Sequence, residues 1–391
     1  MENYFNTGKK ELCNGCGTCA LRCPKSAIEM VEDGEGFLYP HINKEKCINC
    51  GLCEKVCSNF NKSEQESVAY IAINNNDKEL KNASSGGMFY ILAKYVIENK
   101  GVVFGVTYDE DLNVIHKYAE TLEDCKQFCG SKYVRSDLKN TYKEAEKFLK
   151  DGRVVLYTGT ACQISGLKSY LGKEYDNLIL CDILCHANPS PKVFKLYKEN
   201  LEKKYSKKVK DIRFRSKENG WRNQTPIIVF NDGNKIEENT FFNAFVKEMI
   251  NRQSCYSCMF ASKSRITDFT IADFWGIEKV KPNLDSTKGV SLLTVNSEKG
   301  KKLLNLFKDN TSILEKIDID LAAEYNHFTN VQVHKNRDKF FEGIENASIN
   351  NDNIIYVMNK YTKVSIFRKM LRKGKRIINN IIKNKVSYGS K

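Results

Sequence analysis

Cys13-Asn14-Gly15-Cys16-Gly17-Thr18-Cys19-Ala20-Leu21-Arg22-Cys23-Pro24 and Cys47-Ile48-Asn49-Cys50-Gly51-Leu52-Cys53-Glu54-Lys55-Val56-Cys57 decide how the front of the chain folds. Both runs read C-x2-C-x2-C-x3-C, a spacing that holds [4Fe–4S] clusters. Thiolates this close wrap one cubane only if the backbone between them turns tightly, and Gly15, Gly17 and Gly51 supply that freedom. In a two-cluster arrangement the fourth cysteine of each run crosses to the other cluster. The expected ligand sets are Cys13, Cys16, Cys19 and Cys57 for one cluster, and Cys47, Cys50, Cys53 and Cys23 for the other. Ser58 stands where a proline often follows the second run, a position that ligates nothing. Zinc sites usually combine two C-x2-C pairs rather than doubled quartets.

Residues 1–62 are therefore expected to form a bacterial-type 2×[4Fe–4S] ferredoxin domain, with strand-like segments at Ile28-Glu29-Met30 and Phe37-Leu38-Tyr39. The 391 residues leave room for one or two further domains. Met1 to Lys10 carries no apolar signal region and no stretch is long enough to span a membrane, so the cysteines are read as metal ligands in a cytoplasmic protein working where oxygen is scarce. The net charge is +14. Residues 363–391 hold ten Lys/Arg and no Asp/Glu, which leaves about +4 for the rest. A weakly basic body with a cationic tail is not a nucleic-acid-binding domain. In that tail Ile366-Phe367, Met370-Leu371, Ile377-Ile378 and Ile381-Ile382 recur at helical spacing between basic residues. They describe a helix for an anionic surface, an acidic partner or the inner face of a membrane, interrupted at Gly374.

Between these ends, strands alternate with helices. Asn61–Ser67 reads as a linker, and Val68–Ile73, Val102–Val106, Val114–Ala119, Val154–Tyr157 and Leu178–Ile183 as strands. Helices are expected after Ser84-Ser85-Gly86-Gly87 as far as Ile97, at Lys139–Lys150, Ile164–Leu171 and Pro191–Tyr205. A hairpin of Ile212–Arg215 with Ile227–Phe230, turning at Asp232-Gly233, precedes a helix at Phe241–Arg252. Ile266–Asp273 and Val290–Val295 are the last strands expected. The pattern argues an α+β front module followed by a larger α/β domain.

Seven cysteines remain. Cys255 and Cys258 form a C-x2-C pair, and Cys162 and Cys185 each follow an apolar strand, where loops of an α/β sheet converge. Together they suffice for a third [4Fe–4S] cluster. Cys181 rivals Cys185, although its place inside a strand favours burial as a small apolar side chain. Cys125 and Cys129 are helically spaced and read as structural.

Gly159-Thr160-Ala161-Cys162-Gln163-Ile164-Ser165-Gly166-Leu167-Lys168 resembles a signature of the β-subunit family of coenzyme F420 hydrogenases and dehydrogenases. So do Cys185-His186-Ala187-Asn188-Pro189-Ser190-Pro191, Gly130-Ser131-Lys132-Tyr133, Ala272-Asp273-Phe274-Trp275-Gly276, Ser84-Ser85-Gly86-Gly87 and the stretch from Phe214-Arg215 to Gly220-Trp221. Ala161, Ala187-Asn188 and Ala272 depart from the usual residues of that family. The resemblance covers residues 1 to about 330 and implies a domain over residues 68–330 that holds FAD beside a [4Fe–4S] cluster, followed by a basic helical extension over residues 331–391. It also implies Cys162, Cys185, Cys255 and Cys258 as ligands of that cluster. Ser84, Ser85, Gly86 and Gly87 would seat the FAD phosphates at a helix N-terminus, with Lys132, Asp273 and Trp275 beside the flavin. Lys132 and His186 would serve the chemistry, the first steadying charge and the second carrying protons.

The function this implies is an iron–sulfur flavoprotein oxidoreductase. It would move electrons between a ferredoxin-like one-electron carrier, three [4Fe–4S] clusters, FAD and a two-electron substrate such as coenzyme F420 or another small organic acceptor. The alternative is a non-catalytic electron-transfer subunit feeding a partner oxidoreductase, or a reductive step near bacterial polysaccharide biosynthesis.

Overall fold

The computed structural model describes residues 2–58, 66–218, 220–284 and 287–362. Most of the expected linker and the whole basic tail from residue 363 lie outside the described residues.

The front module is a hairpin of β1 (Ile28–Glu32) and β2 (Leu38–Ile42), with Ile28 opposite Ile42. It is flanked by two short helices, Thr18–Leu21 and Leu52–Lys55, each capped by a left-handed glycine, Gly17 and Gly51. The rest is built around β3 (Val68–Asn74), β4 (Val102–Tyr108), β5 (Val114–Ala119), β6 (Val155–Thr160), β7 (Leu178–Ile183), a small sheet of β8 (Val209–Arg213), β9 (Ile227–Phe230) and β10 (Lys235–Glu237), then β11 (Phe269–Asp273), β12 (Ser291–Val295) and β13 (Thr311–Ile317). The main sheet has eight strands in the order β13-β3-β12-β11-β7-β6-β4-β5.

That sheet is mixed rather than wholly parallel. Strands β4, β6, β7 and β11 run parallel, and antiparallel strands extend both sides. The parallel strands are apolar on both faces because both are covered. Val102, Phe104, Val155, Tyr157, Leu178 and Leu180 pack with helices Thr141–Lys150 and Ala161–Leu171. The alternate residues Val103, Leu156, Ile179 and Cys181 pack with helices Met88–Glu98 and Glu298–Phe307 on the other side. Cys181 is thereby spent in the core, fully buried on the face away from Cys162 and Cys185.

Several boundaries differ from the sequence reading. Strand β6 runs on to Thr160, and its helix begins at Ala161 rather than Ile164, because Thr160 and Gln163 form a reciprocal capping box. Cys162 therefore lies in the first helical turn. The expected Phe241–Arg252 helix covers only Thr240–Val246, and Glu248 just beyond has φ +61°. The Asp232-Gly233 turn joins β9 to β10, while β8 pairs with the other edge of β9. Strand β13, on the edge beside β3, was not expected: its residues are only partly buried and carry no clean apolar alternation. Helices Arg337–Ile349 and Ile354–Thr362 bring Phe340, Ile344 and Met358 into the same core as Phe194, Phe241 and Met249. Phe37 and Tyr39 of the front module join that core too. No helix among the described residues is long and apolar enough to cross a membrane.

The front module also docks on the flank of helix Ala161–Leu171. Thr18 Oγ1 donates to the Gly166 carbonyl at 2.7 Å, and Ser165 Oγ donates to the Ser58 carbonyl at 3.0 Å. A side chain at residue 166 would begin 2.7 Å from Cys16 Cβ and 2.5 Å from Tyr142 Oη. Behind the same helix, Gln163 Nε2 bonds Ser136 Oγ, which in turn bonds His116 Nδ1, while His116 Nε2 meets the Thr158 carbonyl at 3.1 Å. A neutral imidazole donating from Nε2 completes that chain. Burial holds the His116 pKa down at about 4.

Two outcomes follow from this packing. Gly166→Leu is expected to cost about 2 kcal/mol by overpacking and to lower the melting temperature by roughly 2–3 °C, read by thermal denaturation under anaerobic conditions. Between its ordinary pKa and about 4, His116 takes up a proton in the unfolded chain but not in the folded one, so stability rises with pH across that window. Urea unfolding at pH 6.5 and pH 5 is expected to show a loss of about 1.5 kcal/mol on acidification that His116→Gln removes.

Candidate functional site

Three cavities are each walled by four cysteines. Cys13, Cys16, Cys19 and Cys57 line the first, together with Tyr4, Leu12, Met30 and Val56. Cys23, Cys47, Cys50 and Cys53 line the second, with Ile28, Ile42, Ile48 and Leu52. Both hold three cysteines of one run and the last cysteine of the other. Cys162, Cys185, Cys255 and Cys258 line the third. Asn14 belongs to the walls of both the first and the third. Cys50 is the exposed member of the twelve, which puts the second cavity nearest solvent.

Among the described residues no group of three or more His, Cys, Asp or Glu is arranged to hold one metal ion, as a single zinc about 2.3 Å from each sulfur would require. Burial raises the thiol pKa of Cys13, and burial together with neighbouring sulfurs drives Cys185 well above its ordinary range and Cys255 to about 12. Thiols as buried as Cys13, Cys185 and Cys255 stay protonated unless the group they bind brings positive charge, so iron binding and thiol deprotonation are coupled at these positions. The donor set fits a cluster of ferrous and ferric iron.

The third quartet is assembled from the sheet. Strands β6, β7 and β11 are neighbours and parallel, so their C-terminal ends lie together. Cys162 follows β6 and Cys185 follows β7, while Asp273 ends β11. Cys258 is positioned through Arg265, which donates to the Phe260 and Ser262 carbonyls and forms a fully buried ion pair with Asp182. Asn188 ties the set together, its N–H reaching Cys255 Sγ at 3.3 Å and its Nδ2 reaching Cys162 Sγ at 3.7 Å. Cys125 and Cys129 lie elsewhere, beside Phe128 under helix Met88–Glu98.

The segments expected beside a flavin meet at the same end of the sheet. Ser84 Oγ accepts from the Ser131 N–H at 3.0 Å, and Ser85 Oγ donates to the Val290 carbonyl at 2.7 Å. Gly86 is pressed against the sheet: its N–H donates to Ser291 Oγ, and a Cβ there would meet the Ala72 carbonyl at 2.4 Å. Ser85 and Gly86 thus anchor the turn, and Gly87 caps helix Met88–Glu98. Asp273 receives a salt bridge from Arg215 and a 2.7 Å bond from Trp221 Nε1, and Trp221 stacks on Trp275 with centroids 5.4 Å apart and planes 3° from parallel. Asp273 is the anchor of an Arg215–Trp221–Trp275 cluster.

Lys132 and Lys217 are both half-buried ammonium groups whose pKa falls to about 8 through desolvation. Lys217 spends three N–H bonds on the carbonyls of Leu80, Ser85 and Lys288. Lys132 donates two, to Gln127 and Cys129, and an ammonium has a third. His186 meets Glu248 through Nε2 at 2.6 Å and His327 through Nδ1 at 3.2 Å. Sequence reasoning missed Glu248, His327, Lys217, Arg135 and Arg252. The first two carry no local signal, because the turn at Glu248 and the loop bearing His327 meet only in the folded chain.

Comparison with known proteins finds two matching families along the chain. Residues 12–60 match the 4Fe-4S dicluster domain, and residues 152–319 match the family described as the C terminus of the coenzyme F420 hydrogenase/dehydrogenase beta subunit. The trichloroethene reductive dehalogenase of Dehalococcoides mccartyi is 37% identical over 15% of this chain. One component of the Na(+)-translocating ferredoxin:NAD(+) oxidoreductase complex of Acetobacterium woodii is 44% identical over 12% of it. The chain spans 12% of the length of each of these two relatives. A chain of the F420-reducing [NiFe] hydrogenase complex from Methanosarcina barkeri aligns with 72% of this chain and 93% of its own length, at 17% identity and a TM-score of 0.44. Residues 152–319 belong to the coenzyme F420 hydrogenase/dehydrogenase beta-subunit family of iron–sulfur oxidoreductases, behind a dicluster 4Fe–4S domain.

Proposed function

We propose that this protein is an iron–sulfur flavoprotein oxidoreductase that passes electrons between a ferredoxin-like carrier and a two-electron substrate of the coenzyme F420 kind or another small organic acceptor. The observation that carries the reading is the series of three cysteine-walled cavities, the outermost reaching solvent at Cys50 and the other two sharing Asn14 as a wall. Cys23, Cys47, Cys50 and Cys53 would hold the outer cluster, Cys13, Cys16, Cys19 and Cys57 the middle one, and Cys162, Cys185, Cys255 and Cys258 the inner one. FAD, seated among the Ser84–Gly87 turn, Lys132 and the Asp273–Trp275 segment, supplies the exchange between one-electron and two-electron steps.

The chain's own residues keep this path short and dry. Tyr4, Leu12 and Val56 line the middle cavity, and Phe260 and Ala187 line the inner one, which limits water at the sulfurs. The third N–H of Lys132 is available to a phosphate or to negative charge developing on a ring, and desolvation makes that bond stronger than it is in water. His186, held between Glu248 and His327 beside Cys185, is the group able to keep a proton at Nδ1 or Nε2 close to the inner cavity.

Anaerobic reconstitution is expected to give about twelve iron atoms per chain, and the double variant Cys255→Ser/Cys258→Ser about eight. Iron unchanged in the double variant would overturn the inner cluster. FAD released by denaturing anaerobically isolated protein identifies the flavin, and Lys132→Met is expected to weaken its retention roughly tenfold while iron content stays constant. Turnover of reduced ferredoxin with a two-electron acceptor and no added protein supports an enzyme, whereas transfer that requires a second protein supports an electron-feeding role.

A further inference from the structure

Five arginines are almost completely buried among the described residues: Arg135, Arg215, Arg252, Arg265 and Arg337. Three have carboxylate partners, Arg215 with Asp273, Arg265 with Asp182 and Arg337 with Glu35. Arg135 and Arg252 have none, and both sit between the first and third cysteine cavities. Arg135 donates from Nη2 to the Gly15 carbonyl at 2.8 Å and from Nη1 to Cys162 Sγ at 3.8 Å, so it touches the frames of both quartets. Arg252, 1% exposed, donates to the carbonyls of Cys13 and Leu38. Its Nη1 is buried without a hydrogen-bond partner and lies 2.9 Å from where a Gly15 side chain would begin, inside the Cys13–Cys16 turn.

An arginine keeps its charge in any protein environment, and a buried charge without a counter-ion is strongly unfavourable. The ring of Tyr39, 4.1 Å from the Arg252 guanidinium, eases that cost without neutralising it. We infer that the missing counter-ions are the clusters themselves: Arg252 acts on the cluster held by Cys13, Cys16, Cys19 and Cys57, and Arg135 on the cluster at Cys162. Both are positioning residues that tune potential, and the inference rests on the three-cluster reading above.

A cubane gains one unit of negative charge when it accepts an electron from an external one-electron donor. Fixed positive charge and N–H···S bonds favour that more negative state and raise the reduction potential. On the wall of the second quartet, near solvent at Cys50, Lys25 is the cation among the described residues. The two buried guanidiniums therefore raise the potentials of the middle and inner clusters above what burial alone would set, which keeps both able to accept an electron arriving from the side of Cys50.

The test is an anaerobic dithionite titration of reconstituted protein, with each reduced cluster followed by electron paramagnetic resonance. In Arg135→Gln the inner cluster's midpoint is expected to shift downward while the outer cluster's stays put. Arg135→Lys, which keeps the charge, is expected to stay near the wild-type value. Unmoved midpoints in Arg135→Gln with full iron overturn the inference and leave the three-cluster reading intact. Wild-type protein holding only about eight irons overturns that reading and this inference with it. If Arg135→Gln loses iron, retention of iron and potential in Arg135→Lys supports the charge role, and loss in both overturns it in favour of packing alone.

Discussion

Helix Ala161–Leu171 can carry Cys162 at one end and receive the Cys16 turn on its flank because residue 166 has no side chain. The rest of the site depends on that contact. Electron transfer between two clusters needs their cysteine frames close together, and the contact brings the front module against the element that begins the inner quartet. Thr18 and Ser165 then fasten the two backbones across the same seam. The β1–β2 hairpin adds a second anchorage, with Phe37 and Tyr39 in the main core and Glu35 paired to the buried Arg337. The dicluster module is thus built into the body rather than tethered to it.

The sheet supplies the other half of the geometry. Parallel neighbours β6, β7 and β11 end side by side, so residues far apart in the chain arrive at one edge: Cys162, Cys185 and Asp273. The edge is then stabilised by ionic and aromatic contacts, Arg265 with Asp182 and Arg215 with Asp273 under the stacked Trp221 and Trp275. Breaking either buried pair by removing one partner leaves an uncompensated charge and costs about 3–5 kcal/mol. These pairs hold the loops at that edge of the sheet.

The two cysteine runs made legible which four cysteines wall each front cavity, because close spacing keeps three sulfurs of a run together and the fourth of each run crosses to the other. Burial inside β7 likewise separated Cys181 from Cys185: strand residues alternate faces, and an apolar run leaves an interior cysteine to the core. Local chemistry was less informative at boundaries. The capping box that starts a helix at Ala161 was present in Thr160 and Gln163, yet the apolar pattern began later, at Ile164. The edge strand β13 lacks the buried alternation that announces a strand, since pairing with β3 rather than burial holds it.

By itself the sequence determined the dicluster spacing of the front cysteines and the alternation of strands and helices. Only the tertiary structure decided what stands between the sites: Asn14 as a shared wall, Arg135 and Arg252 as buried charges at the junction, Lys217 as a strap and Lys132 held on the carbonyls of Gln127 and Cys129. Three cysteines of each front quartet are set by spacing along the chain, whereas the third quartet is drawn together from distant loops by the sheet. Charge between clusters depends on which distant side chains are desolvated together, and that is set only when the chain closes on itself.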